Sequence, residues 1–219
     1  MAYGGPVKTQ AIIEQELSEL IQAHYYSEDF ELLSSVRAYQ EGLSLAGRDE
    51  LRAVVLRRLS GEGSMVDILL CSVVDVPSAG PILAGRLDQE TVPSQLTRAL
   101  MTALAACPGD ASFRAVERFV DSDQEGEALA ALARIDFSRA LPYVARALDR
   151  AHFLGPVLHL LHARAKVVGV PALAEELRAS TARLPAAFPD GIRRSLGAKS
   201  AAYNPFSEAE RARLLDALA

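Results

Sequence analysis

The sequence predicts an all-α chain built as a stack of antiparallel helix pairs, and three observations carry that expectation. Alanine (37) and leucine (31), both strong helix formers, supply 68 of the 219 residues. Apolar and polar side chains almost nowhere alternate for long, so the period-two signal of strands is missing. Polar joints at Ser60, Asp88, Asp121 and Asp149 recur at intervals of 28, 33 and 28 residues. Each joint closes one apolar helix and opens another, as a pile of two-helix units requires.

The elements follow in chain order. Residues 8–26 form an amphipathic acidic helix and 28–40 a second; together, residues 1–46 cap the stack. Residues 47–183 carry the repeats. Their first helices span 47–59, 79–88, 111–121, 137–149 and 170–183; their second helices span 64–75, 92–106, 124–134 and 154–168. Ser64 caps its helix, with Asp67 at the third position adding favourable charge. Pro93, Pro142 and Pro156 fall near helix starts or at tolerated kinks. Residues 185–206 hold proline, glycine and serine at loop density. A capping box at Ser207–Glu210 then opens a last helix ending near Leu218, which folds back because Leu214, Leu215 and Leu218 need cover. The whole chain, 1–219, reads as a single helical-repeat domain, with residues 184–219 as loop and C-terminal helix.

The stretch VDSDQEGEALAALARID, residues 120–136, poses a choice. Asp121, Asp123, Glu125 and Gly126 match the opening of a calcium loop, but positions 9 and 12 fall on Leu129 and Leu132. A hard cation needs six to eight oxygens, and leucine supplies none. The alternative is a helix start: Asp121, Ser122 and Asp123 as caps, Glu125 and Glu127 at the positive end of the macrodipole. The helix reading accounts for more of the residues.

On the patterns Leu87-Asp88…Leu96…Arg98-Ala99-Leu100…Ala103-Leu104 and Val120-Asp121…Ala128-Leu129…Ala131-Leu132-Ala133, residues 47 to 168 resemble HEAT-like helical repeats. The units are short, and look most like those of phycobilin lyase-like proteins. The resemblance implies a right-handed α–α superhelix, an alpha solenoid, whose second helices line a concave face. Each pair exposes an apolar face that only its neighbours can cover, and each buried leucine contributes roughly 1.5–3 kcal/mol.

Composition and charge exclude several classes. The net charge of −5 is uneven: −6 over residues 1–50, −2 over 51–150 and +3 over 151–219. The acidic front argues against nucleic-acid binding, which draws its affinity from lysine and arginine contacts to phosphate. HEAT-like stacks also serve DNA-repair glycosylases, but a chain with no Trp and a net negative repeat region lacks the basic, aromatic face such an enzyme needs. Cys71 and Cys107 fit neither a disulfide framework nor a zinc pattern, and read as reduced thiols. No basic n-region followed by an apolar h-region opens the sequence, so no signal peptide is expected, and the most apolar stretch, MVDILLCSVVDV, is too short to span a bilayer. A soluble cytoplasmic protein is expected.

Candidate chemistry is sparse. His159 and His162 share a helix face, with His152 before them beyond Gly155-Pro156, but a third metal ligand is missing. Gly61-Glu62-Gly63-Ser64 lacks the lysine and spacing of a phosphate loop. Arg193-Arg194-Ser195 reads as a solvated loop that could meet an anion or be modified. No cofactor, metal or catalytic residue is expected. Subtracting the apolar stripes leaves Asp67, Gln95, Arg98, Thr102, Glu127, Arg134, His159, His162 and Lys166 as outward residues of the concave face. Their mixed charge suits a protein or peptide partner, so the expected function is a non-catalytic interaction module: an adaptor, scaffold or inhibitor-like partner. The alternatives are a chromophore- or small-ligand-handling lyase-like enzyme and, less favoured, a metal-dependent or DNA-repair enzyme.

Overall fold

The computed structural model describes residues 8–24, 29–61, 63–92, 94–148, 154–181, 183–184, 187–197 and 204–218. Pro93, Asp149 and His152 lie outside the described residues. The described residues form thirteen α-helices and one short 3-10 turn, with no strand among them. They fall into two compact units, Met1–Arg118 and Phe119–Ala219.

The first unit holds α1 (Gln10–Ala23), α2 (Asp29–Gly42), α3 (Leu45–Ser60), α4 (Met65–Leu70), a 3-10 turn (Pro77–Ala79), α5 (Gly80–Gln89), α6 (Gln95–Leu104) and α7 (Asp110–Glu117). Helices pack on their neighbours in sequence and on the next but one. Helix α1 lies on α3 and α5 on α7, with the 3-10 turn bridging α3 and α5; α2 lies on α4 and α4 on α6. Leu17, Leu51, Val54, Leu59, Leu83, Leu87, Leu100 and Val116 are wholly buried. Tyr39 on α2 ties back to α1 by donating to Glu16 Oε2 at 2.6 Å, and Lys8 donates to the same carboxylate.

Capping chemistry sets several boundaries. Ser64 and Ser94 each open a helix in a full capping box, with Asp67 and Thr97 at the third position. Helix α4 stops at Leu70, five residues before the expected end. There the backbone tightens into i→i+3 bonds at Cys71, Ser72 and Val73, and the Ser72 hydroxyl donates to the Leu69 carbonyl at 2.6 Å. The β-branched run Val73-Val74 and then Pro77 discourage any continuation. Gly63, at φ +53°, makes the α3–α4 turn in the left-handed region and leaves room for the Arg86 guanidinium, which donates to the Leu59 and Gly63 carbonyls at 2.6 Å each.

The second unit holds α8 (Glu125–Ile135), α9 (Phe137–Leu148), α10 (Leu154–Val168), α11 (Val170–Thr181), α12 (Ala187–Gly197) and α13 (Glu208–Ala217). Again next-but-one packing recurs: α8 with α10, α10 with α12, α9 with α11, and α11 with α13. Two expectations need correction here. The cap of α8 is Gln124, without a side-chain cap, while Asp121 and Asp123 stay exposed. The Ser122 hydroxyl instead donates to the Phe119 carbonyl and accepts from the Gln124 amide in a local turn, and α7 ends at Glu117, four residues before the expected end. Glu125 and Glu127 do occupy the first turn of α8.

The larger correction is α12, which lies within residues expected to be loop. Phe188, Ile192 and Leu196 recur four apart and are buried, and that stripe outweighs the poor propensity of Pro189, Gly191 and Ser195. Arg193 and Arg194 are structural rather than free: Arg193 bonds Asp190 and the Leu218 carbonyl, and Arg194 reaches the Leu148 carbonyl at 3.5 Å. Ser195 is fully buried, so it is not open to modification. Helix α13 begins at the Ser207–Glu210 capping box, and Leu214 and Leu218 are covered.

Candidate functional site

Helix periodicity places three of the expected surface residues together in the first unit. Gln95, Arg98 and Thr102 project from one face of α6, three and four residues apart, and all are exposed. With Met65, Leu69 and Ala99 they line a groove of about 330 Å³ between α4 and α6. Leu69 and Ala99 form its apolar floor, at 8% and 7% exposure. The Thr102 hydroxyl donates to the Arg98 carbonyl at 2.9 Å, which fixes its rotamer.

Asp67 does not belong to that outward set. It is buried, and its carboxylate is fully engaged: Oδ2 accepts from the Ser64 amide and hydroxyl at 2.9 and 2.7 Å, and Oδ1 accepts from Arg58 Nε at 2.7 Å. Burial alone would raise its pKa, but the Arg58 and Ser64 hydrogen bonds outweigh it and hold the carboxyl below its usual range. Asp67 is a helix-terminal strut.

The second unit contains a depression that the sequence did not single out. Arg134 leads to it from the last turn of α8. Its cleft of about 390 Å³ is lined by Arg134, Asp136, Phe137, Arg164, Glu176 and Arg183, among others. Each acid already has a task. Asp136 caps α9 by accepting from the Arg139 amide at 3.1 Å. Glu176 takes two hydrogen bonds from Arg164, at 3.0 and 2.5 Å, and this pairing raises the Arg164 pKa further. The Arg164 guanidinium also lies 5.4 Å from the centre of the Phe137 ring. Arg134 and Arg183 are exposed, and neither has an acidic partner within 4.0 Å among the described residues. Two uncommitted guanidiniums therefore flank a fixed arginine–glutamate pair.

The remaining expected residues are dispersed. Glu127 is half-buried on α8. His159, His162 and Lys166 lie along one stripe of α10; His159 and Lys166 are exposed, while His162 stands edge-on to the Phe206 ring at 5.3 Å. Among the described residues no group of three or more His, Cys, Asp or Glu side chains is placed to share a metal ion. No described helix is long and apolar enough to cross a membrane. What the arginine cleft can do chemically is bind and orient an anion, since its lining offers five-donor guanidiniums and no His, Cys or Lys to move a proton near neutrality.

The fold defines an all-helical protein whose helices pack in sequence. No protein-family model, curated protein or solved structure matches the chain.

Proposed function

We propose that this chain is a non-catalytic protein-interaction module, an adaptor, scaffold or inhibitor-like partner built as a short HEAT-like alpha solenoid. The observation that carries the reading is the next-but-one helix packing within each unit, the arrangement that stacked hairpins adopt. Such stacks present a continuous face of second helices, and α4 and α6 offer one here: an apolar floor rimmed by Gln95, Arg98 and Thr102. A floor of small apolar side chains with a polar rim is the anatomy of a protein interface. A lyase-like chromophore site would call for a deep apolar cavity, whereas the arginine cleft, the α4–α6 groove and a third depression beside Arg213 all carry arginine in their walls.

The test is affinity capture with the tagged full chain from its own host, followed by a groove variant, Arg98→Glu with Ala99→Arg. A stoichiometric protein partner that the variant loses supports the reading. A co-purifying small molecule with no protein partner would replace it; a partner retained undiminished by the groove variant would move the interface off the α4–α6 groove.

A further inference from the structure

From the arginine cleft of the second unit we infer a recognition site for a carboxylate carried on an acidic segment of a protein partner. The inference deepens the interaction reading above and rests on it. Its basis is an imbalance that the fold maintains. The chain is acidic overall, at −5, yet this cleft gathers Arg134, Arg164 and Arg183 against two acids that both have partners inside the unit.

The geometry assigns different tasks to the three arginines. Arg164 is held by Glu176 and the Phe137 ring, so it shapes the wall and is not free to turn toward a ligand. Arg134 and Arg183 come from the end of α8 and the turn after α11, and stand without acidic partners among the described residues. A guanidinium presents a planar fork that matches a carboxylate in two parallel hydrogen bonds. Two forks at one opening suit two neighbouring carboxylates, or one held from both sides. Ser138 and Ser180 also line the cleft. The Ser180 hydroxyl donates to the Glu176 carbonyl at 2.7 Å, leaving its oxygen able to accept only. The cleft therefore selects charge more than hydrogen-bond pattern, and an open, charged wall of this kind meets a flexible acidic chain better than a rigid small molecule.

The test uses the full chain and a fluorescein-labelled decapeptide of alternating Glu and Gly, read by fluorescence anisotropy. R134E/R183E is expected to weaken binding by at least about tenfold, the equivalent of two lost charge pairs near a surface. Rising salt should weaken the wild-type complex in parallel. R134Q/R183Q provides a second variant with less repulsion at the C-terminal turn of α8, and a helical circular dichroism signal equal to wild type keeps both readable. R37E/R114E makes the same net-charge change on the first unit and should bind the peptide almost as well as wild type. Equal weakening in that control, no measurable peptide binding, or inorganic phosphate binding where the peptide does not would each overturn the inference. The two readings fail separately: a partner captured from the host but no peptide binding removes the cleft assignment and leaves the module.

Discussion

The two units treat their buried polar groups differently. Among the described residues of the first, every buried polar side chain works at a helix end or a turn: Asp67 and Thr97 complete capping boxes, and Ser112 donates to the Cys107 carbonyl at 2.6 Å. Among the described residues of the second, Gln124 and Glu125 are likewise buried at the start of α8, but Ser195 Oγ is buried without a hydrogen-bond partner, and two exposed arginines of the cleft have no acid to meet. A buried polar group without a partner costs about 1–3 kcal/mol, so unspent hydrogen-bonding capacity is not neutral. The first unit uses polarity to define its helices. The second does the same at the starts of α8 and α13, but among its described residues it also keeps the Ser195 hydroxyl and two surface guanidiniums that its own fold leaves without a partner or an acid.

The comparison breaks most readily at Asp67. Replacing it by alanine keeps the Ser64 cap but removes the carboxylate half of the α4 capping box and leaves Arg58 without its anion, and should cost about 3 kcal/mol, the low end for breaking a buried pair because Arg58 is partly exposed. Urea unfolding followed by circular dichroism measures the loss. The same residue gives a pH signature. Its folded pKa lies below the unfolded one, so its contribution is present above the ordinary carboxylate range near pH 4 and disappears as pH falls through the lower folded value. Asp67→Asn should flatten that acid limb of the stability curve; an unchanged limb would mean other carboxylates carry it.

Next in size is Gly191 in α12. A Cβ there would stand 2.9 Å from Leu148 Cβ, the rooted end of that side chain, which cannot swing aside. Gly191→Ala gains about 1 kcal/mol of helix propensity and loses roughly 1–3 kcal/mol to overpacking, so a net destabilisation of about 1 kcal/mol is expected in thermal melts. Smaller and opposite in sign is Ser195→Ala. Removing an oxygen without a partner from a fully buried position should stabilise the chain by about 1 kcal/mol. If the variant is instead destabilised, the hydroxyl has a partner and the contrast between the units narrows.

How much of this was legible in the sequence depends on how local the signal is. The starts of α4 and α13 were readable because a capping box is written in four consecutive residues. The groove residues Gln95, Arg98 and Thr102 were readable because helical spacing puts them on one face. Helix α12 was not, since Pro189, Gly191 and Ser195 signal loop, and only burial of Phe188, Ile192 and Leu196 against the rest of the unit makes it helical. The period-four stripe was present but outvoted. Asp67 misled for a related reason: its helical position faces outward on a wheel, but the capping box and Arg58 turn it in. The arginine cleft was invisible because Arg134 and Arg183 lie 49 positions apart, and Arg164 meets Glu176 only across the Gly169 turn, where φ is +83°.

The smallest expected effect is an absence of reaction, and it probes how well the first unit is sealed. Cys71 and Cys107 are both buried there, with their thiols donating to the Asp67 and Val76 carbonyls at 3.4 Å. Burial pushes the Cys71 thiol up to about 12 and the Cys107 thiol to about 11, with the neighbouring thiol and Asp67 adding to the first and Asp75 to the second. Thiolate is the reactive form, so near neutrality neither residue should react with an aromatic disulfide reagent while the unit is folded. Addition of urea should release two thiols together. Labelling of one cysteine while the helical signal stands would show that the first unit opens locally, and its satisfied polar interior would then no longer distinguish it from the second. In Asp67→Ala the native labelling rate should rise in step with the lost stability, because exposure of the thiols follows the population of the opened unit.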